Sequence, residues 1–219
     1  MEASTQQQIA SERVTRVMAR VLYWIGRHWL LMANTALALY VGLPILAPWL
    51  AYHGFERGAN LIYLIYRPLC HQLPERSFFL FGPQLSYTLE ELQALMGGIV
   101  AQRAIGDPEI GYKIAVCERC VAIYGGMFLL GLLFSLVRQR LRPISIKVFI
   151  AFCAPMGIDG FGQLFGLWDS SVVSRLVTGA LFALACVLLV YPYLEEGMGE
   201  VRREAQATLM QHQAGDADG

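Results

Sequence analysis

The chain has 219 residues, of which 56% are hydrophobic and only 16% are charged, whereas soluble domains average about 25% charged residues. Its 17 basic and 17 acidic side chains cancel, and no basic stripe with interleaved aromatic residues is present, which argues against nucleic acid as a partner. The hydrophobic residues are concentrated in long blocks, and this distribution indicates a membrane protein rather than a soluble domain with a large core.

Four hydrophobic blocks predict transmembrane helices. The first block, about residues 29–51, is uncharged and is long enough to cross about 30 Å of hydrocarbon as an α-helix. The first block contains Pro44 and Pro48, which a membrane helix tolerates when neighbouring groups satisfy the carbonyls that proline frees. The sequence therefore predicts an all-α fold, a multi-pass transmembrane bundle of about four helices. The predicted spans cover about residues 29–51, 117–137, 148–168 and 172–194.

Basic residues mark one side of the predicted bundle. They are concentrated in the N-terminal segment 1–28 and in the short loop 138–147, and the polar tail 195–219 adds Arg202 and Arg203. Short loops rich in Lys and Arg stay in the cytoplasm of a cell membrane. We therefore expect a multi-pass protein of the plasma or inner membrane, with residues 29–194 as the membrane domain and with both termini in the cytoplasm.

The long outer loop, residues 52–116, has structure of its own. Its stretch LIYLIYRPL (61–69) is apolar and aromatic but too short to span a bilayer. Further on, Thr88 and Glu91 have the spacing of a capping box, and apolar residues then recur at helical spacing. The loop is expected to carry one or two short amphipathic helices, or else to form a small globular cap over the bundle.

Cysteine and histidine residues suggest a metal site at the outer face. Cys70 and His71 are adjacent, and Cys117 and Cys120 form a Cys-x-x-Cys pair at the start of the second predicted span. Three thiolates and one imidazole are a suitable tetrahedral set for zinc or another transition metal. Since adjacent Cys and His side chains diverge, the two cysteines of the pair together with Cys70 are the first choice.

Disulfide chemistry is the alternative use of the same residues. An oxidising outer compartment favours disulfides, so Cys70 could be linked to Cys117 or Cys120. The Cys-x-x-Cys pair could also be a reactive dithiol of the oxidoreductase type. The spacing alone does not decide between a metal site, a structural disulfide and a redox site.

Polar residues inside the third and fourth predicted spans suggest a polar core. Asp159 and Gln163 are four residues apart and share a helix face, and Arg175 begins the next helix after a short connection. Ionisable residues within spans usually face the bundle interior and are paired. We expect Arg175 to pair with Asp159, either as a purely structural link or as part of a cavity for an ion, proton or polar head group.

Three of these stretches resemble signatures of domain-of-unknown-function family 2085, small predicted membrane proteins of bacteria and archaea. They are CHQLPERSFFLFG (70–82), VCERCVAIYGG (116–126) and GIDGFGQLFGLWDSSVVSRLVTG (157–179). The insert at about 83–115 departs from the family pattern. The resemblance implies a membrane location and groups these motifs together, but it implies no activity.

Together these features predict a structural or accessory membrane subunit with an outward-facing Cys/His metal site. Its expected partners are the lipid bilayer and other membrane-protein subunits or a second copy of the chain. Two alternatives stay open. One is a membrane enzyme that uses the Cys-x-x-Cys pair for thiol–disulfide or metal-assisted chemistry, and the other is a small ion- or proton-coupled transporter that uses Asp159.

Overall fold

The computed structural model describes residues 2–101 and 103–217, and within them the chain is mainly helical. The helices are α1 (Glu2–Tyr52), α2 (Glu56–Tyr66), α3 (Leu89–Leu95), α4 (Glu118–Cys120), α5 (Gly126–Val137), α6 (Ile146–Leu164) and α7 (Val172–Ala217). A single 3₁₀ turn covers Pro74–Arg76, and a π-helical turn, Val121–Gly125, joins α4 to α5. Three short strands are β1 (Phe79–Leu80), β2 (Gly106–Asp107) and β3 (Gly111–Lys113). The predicted all-α, membrane-type bundle is confirmed.

Within residues 2–101 and 103–217, three helical stretches are long and apolar enough to cross a membrane. They are Ala10–Tyr52, Glu118–Val137 and Val172–Ala214. The third predicted span corresponds to α6, which has 19 residues but includes the polar side chains of Asp159 and Gln163 and is not among these three. The structure therefore supports a membrane bundle, and it does not confirm the count of four spans.

The longest helices, α1 and α7, run antiparallel and form the frame of the bundle. They contain 51 and 46 residues, and at about 1.5 Å per residue both are much longer than a bilayer is thick. Trp29 Nε1 donates to Glu195 at 2.9 Å, and a buried aromatic cluster of Trp29, Phe134 and Tyr191 packs beside this contact. The helices continue without a break through residues 28 and 195, so both chain ends lie at the same end of the bundle.

Two prolines in α1 create the attachment points of the segment between α1 and α4. Because proline has no N–H, Pro44 and Pro48 leave the carbonyls four residues earlier, those of Tyr40 and Pro44, without helical donors. The Tyr66 hydroxyl donates to the Tyr40 carbonyl at 2.9 Å, and the Ala115 N–H donates to the Pro44 carbonyl at 3.2 Å. The expectation that neighbouring groups satisfy the freed carbonyls is thus confirmed, and both attached segments lead directly to cysteines.

The segment between α1 and α4 contains two short helices, as predicted, together with a sheet that was not predicted. The buried face of α2 packs on α1, and the capping box of Thr88 and Glu91 begins α3. The helix ends at Leu95, earlier than the apolar spacing indicated, because Gly97 and Gly98 adopt positive φ angles of 76° and 130°. The antiparallel sheet has the order β1-β3-β2, with Phe79 opposite Lys113 and Gly106 opposite Tyr112.

Candidate metal centre

Three cysteine sulfurs converge where the segment between α1 and α4 meets the bundle. Cys70 follows α2, and its N–H donates to the Tyr66 carbonyl at 2.9 Å. Cys117 precedes α4 and Cys120 ends it. The three Sγ atoms lie within 4.8 Å of one another, and those of Cys70 and Cys120 are 3.9 Å apart. Tetrahedral Zn–S bonds of about 2.3 Å place two sulfurs about 3.8 Å apart, so this separation suits a shared metal ion.

Hydrogen-bond donors surround the Cys70 sulfur. The Cys117 N–H donates to it at 3.2 Å, and the Gln72 N–H is a second backbone donor. Gln72 adopts a φ of 54°, a left-handed conformation that is uncommon for residues other than glycine. Hydrogen bonds from the thiols of Cys117 and Cys120, reinforced by these N–H groups, hold the pKa of the Cys70 thiol well below its usual range. Cys70 is therefore predisposed to the thiolate form that a metal ligand requires.

A closed ring of three side chains holds the Cys70 loop in place. The Tyr63 hydroxyl donates to the Lys113 carbonyl, the Lys113 ammonium donates to the Gln72 carbonyl, and the Gln72 side-chain amide donates to the Tyr63 carbonyl at 2.9 Å. All three residues are buried. Burial lowers the pKa of Lys113 to about 8. This ring fixes the chain around Cys70 and puts a basic group beside the sulfur cluster.

His71 does not join the three sulfurs. Of the four residues predicted to bind the metal, Cys70, Cys117 and Cys120 come together, while His71 is exposed and lines a cavity next to them. Neighbouring side chains diverge along extended backbone, and this divergence separates the imidazole from the Cys70 sulfur.

All five cysteines are free thiols in the structure. The 3.9 Å between the Cys70 and Cys120 sulfurs is far longer than a disulfide bond of about 2.05 Å. The other two cysteines, Cys153 and Cys186, lie in α6 and α7 and are not part of the sulfur cluster.

The polar core lies next to the cysteines, but its ion pairs differ from the predicted one. Asp159 pairs with Arg119 and accepts hydrogen bonds from the hydroxyls of Ser170 at 2.7 Å and Ser174 at 2.9 Å. Arg175 instead pairs with Glu118, with Nη1 and Oε2 at 2.5 Å. The prediction that Arg175 pairs with Asp159 is therefore wrong.

Ser170 contacts both of these charged residues. Its hydroxyl donates to Asp159, and its carbonyl accepts from Arg175 Nε at 3.1 Å. Asp159 and Arg175 each pair with an oppositely charged residue of α4, the short helix that begins after Cys117 and ends at Cys120. Glu118 and Arg119 thereby connect the sulfur cluster to α6 and α7 through two ion pairs.

Sequence reasoning missed Glu118 and Arg119, although a signal for them was present. They are an acidic and a basic residue inside a Cys-x-x-Cys motif at the start of an apolar block. Their charges are opposite to those of Arg175 and Asp159, respectively. A search for counter-ions of the buried charges would have identified both residues.

A cavity of about 450 Å³ opens beside the sulfurs. Gln163, the third predicted member of the polar core, is half-buried and lines this cavity. The lining also includes all three cysteines and three arginines, Arg76, Arg119 and Arg175. The arrangement is thus a set of soft sulfur ligands next to a cavity with a basic, partly apolar wall.

Comparison with known proteins finds similarity to uncharacterized proteins of two organisms. The chain is 29% identical to an uncharacterized protein of Methanocaldococcus jannaschii over 178 residues, which cover 78% of this chain and 94% of the relative. It is 26% identical to an uncharacterized protein of Methanothermobacter thermautotrophicus over 119 residues, which cover 54% of this chain and 81% of the relative. Both organisms are archaea, so neither relative supports a bacterial source.

No solved structure matches the chain. The family model described as "Predicted membrane protein (DUF2085)" matches residues 110–189, a range that includes the Cys-x-x-Cys turn and all of α6. The resemblance to this family is thus confirmed over residues 110–189, a range that holds the second and third sequence motifs, and there the chain is similar to predicted membrane proteins.

Proposed function

We propose that this membrane protein holds one transition-metal ion, most simply zinc, through Cys70, Cys117 and Cys120. The observation that carries the proposal is the convergence of three sulfurs from segments 47 residues apart in sequence. Soft thiolate ligands select zinc and copper(I) over harder divalent ions. The backbone donors to the Cys70 sulfur and the buried Lys113 nearby favour a cluster of negative charge.

The proposed role of the ion is structural, within an accessory membrane subunit. The ion would join the end of α2 to the start of the α4–α5 span, and Glu118 and Arg119 would extend that link to α6 and α7. Asp159 argues against the transporter alternative, because its carboxylate is engaged by Arg119, Ser170 and Ser174. A carboxylate with three partners is better suited to a scaffold than to releasing an ion in each transport cycle.

Elemental analysis of protein purified in detergent under reducing, metal-replete conditions tests the metal site. We expect about one metal ion per chain and its loss in a Cys117→Ser/Cys120→Ser variant. A Cys153→Ser/Cys186→Ser variant is the matched control, because it removes two cysteines outside the cluster, and it should keep the metal. If the wild type carries no stoichiometric metal, the proposed function is wrong.

The competing hypothesis is a disulfide within the same cluster. Protein isolated without reductant can be alkylated under denaturing conditions and its modified cysteines counted by mass. The metal site predicts that all five cysteines are modified once a chelator has been added. Two cysteines that react only after reduction would instead favour the disulfide.

We also propose that the cluster lies on the non-cytoplasmic side of the cell membrane. The basic segments at residues 1–28, 138–147 and 195–219 support this orientation. The antiparallel packing of α1 on α7 supports it as well, because it brings both termini to the end of the bundle remote from Cys70. Reporter fusions at each terminus should report the cytoplasm, and a terminus found outside would overturn this orientation.

A further inference from the structure

We propose that the metal takes its fourth ligand from outside the chain, and that this ligand is an oxyanion received by Arg76. The inference rests on the proposed function and extends it, since it names the chemical class that the site binds. The oxyanion is a carboxylate or a phosphate, either free in solution or carried by a lipid headgroup.

The described residues offer the metal ion three protein ligands, one fewer than a closed tetrahedral site needs. Among the described residues, the group that could hold an ion contains three ligand atoms, and His71 is not one of them. Tetrahedral sites with three protein ligands keep a position for water or a ligand, whereas closed structural sites have four. Since all three cysteines line the 450 Å³ cavity, the fourth ligand of the proposed ion has room to be larger than a water molecule.

The arginines that line this cavity differ in whether their charge is already paired. Three arginines line this cavity, but Asp159 neutralises Arg119 and Glu118 neutralises Arg175. Arg76 is half-buried in the 3₁₀ turn, and within the part of the chain that the structure describes it has no ion-pair partner. A guanidinium presents a planar fork of donors that suits carboxylate and phosphate groups, so Arg76 is the cation that would receive an incoming oxyanion.

Two neighbouring cavities determine how a ligand would reach the sulfurs. A second, more polar cavity of about 700 Å³ lies alongside the first, and Arg76, Gln163 and Arg175 line both cavities. Four carboxylates, those of Glu75, Glu90, Glu91 and Asp169, also line the second cavity and would repel an oxyanion. The ligand would therefore approach the sulfurs through the first cavity, past Arg76. The first cavity also has apolar lining from Leu69 and Leu164, whose side chains are 55% and 76% exposed. This apolar edge would accommodate an acyl chain if the oxyanion belongs to a lipid.

Cobalt(II) is a suitable probe, because its visible ligand-field bands report the fourth ligand and its sulfur-to-cobalt charge-transfer band reports the thiolates. Cobalt-loaded protein in detergent would be titrated with inorganic phosphate, with acetate and with mixed micelles containing phosphatidic acid. Micelles of phosphatidylcholine would serve as the zwitterionic comparison. A response to the free anions identifies a soluble ligand, and a response to phosphatidic acid alone identifies a lipid headgroup; either response supports the inference.

Arg76→Gln should weaken the apparent affinity for the responding anion by about tenfold or more, because a hydrogen bond to a charged group is lost. Arg67→Gln is the matched control, since Arg67 is exposed and outside both cavities, and its affinity should be unchanged. A charge-transfer band with ligand-field bands that no anion moves would overturn the inference while leaving the metal site intact. Equal affinities in wild type and Arg76→Gln would overturn it too.

The His71→Ala variant tests the internal alternative. If His71 were the fourth ligand, its loss would change the ligand-field bands before any anion is added, and the inference would fail. Unchanged bands in this variant support an external ligand. Absence of the charge-transfer band in the wild type would instead reject the three-cysteine site itself, so the two failures are distinguishable.

Discussion

Glu118 Oε2 lies 2.5 Å from Arg175 Nη1, and this ion pair ties the turn between the two cysteines to α7. The Glu118 side chain is fully buried and that of Arg175 is 11% exposed. Removing one partner of such a pair leaves an uncompensated charge in a region of low dielectric constant, which is far more costly than the loss of an exposed pair.

Breaking this pair should therefore destabilise the protein strongly. We expect Glu118→Leu or Arg175→Leu to lower the free energy of unfolding by about 3–5 kcal/mol, measured by chemical unfolding in detergent micelles. The double variant should recover most of that loss, because no unpaired charge remains. Arg138→Gln is the control, since Arg138 and Glu195 are 3.8 Å apart and partly exposed, and its cost should not exceed about 1 kcal/mol. Equal effects of Arg138→Gln and Arg175→Leu would contradict the account.

The sequence revealed the parts of this site more readily than their connections. Among the described residues, hydropathy identified three helical stretches that can cross a membrane, whereas the fourth predicted span is not confirmed. The sequence motifs grouped Cys70 with Cys117 and Cys120, and their sulfurs do converge. Periodicity failed for the small sheet, because strands of two or three residues are too short to show alternation. The Asp159–Arg175 pairing failed for a different reason. The short connection between the third and fourth predicted spans placed Asp159 and Arg175 within reach of each other. Their actual partners, Glu118 and Arg119, belong to a turn whose position depends on tertiary packing.

A tyrosine hydroxyl attaches α2 to the proline-containing part of α1. In Tyr66→Phe the Tyr40 carbonyl would lose its donor, and a buried carbonyl without a partner costs about 1–3 kcal/mol. Because α2 leads directly to Cys70, metal affinity should fall as well, which competition with a chromogenic chelator would measure. Tyr52→Phe changes an exposed tyrosine and should alter neither quantity. Identical stability and affinity in the Tyr66→Phe variant would show that the freed carbonyl needs no partner.

Asp159 is expected to act as a scaffold residue. Asp159→Asn abolishes the charge that Arg119 pairs with, and we expect a loss of about 1–3 kcal/mol in unfolding free energy with unchanged metal content. Asp169→Asn is the matched control, because Asp169 is exposed. If Asp159→Asn abolished metal binding without lowering stability, the polar core would have a direct part in the site.

Lys113 should make stability depend on pH in the alkaline range. Burial lowers its pKa from 10.5 to about 8, so the folded state disfavours the ammonium form. Below pH 8 both states hold the proton and the penalty is present in full. Between pH 8 and 10.5 only the unfolded state holds it, so the stability of the wild type relative to Lys113→Met should rise with pH.

Unfolding of both proteins across this pH range, in detergent and with the same metal loading, gives the difference directly. Subtracting the variant removes the contribution of every group that titrates equally in the two proteins. A difference that falls with rising pH would mean that the ammonium form of Lys113 stabilises the fold.

X-ray absorption at the edge of the bound metal, on reduced and fully loaded protein, tests the three-cysteine site most directly. A zinc ion held by the three cysteines and one external ligand would have a first shell of three sulfurs and one lighter atom. The zinc–sulfur distances should be about 2.3 Å and the zinc–oxygen or zinc–nitrogen distance about 2.0 Å. A first shell that contains only oxygen and nitrogen would contradict the three-cysteine site.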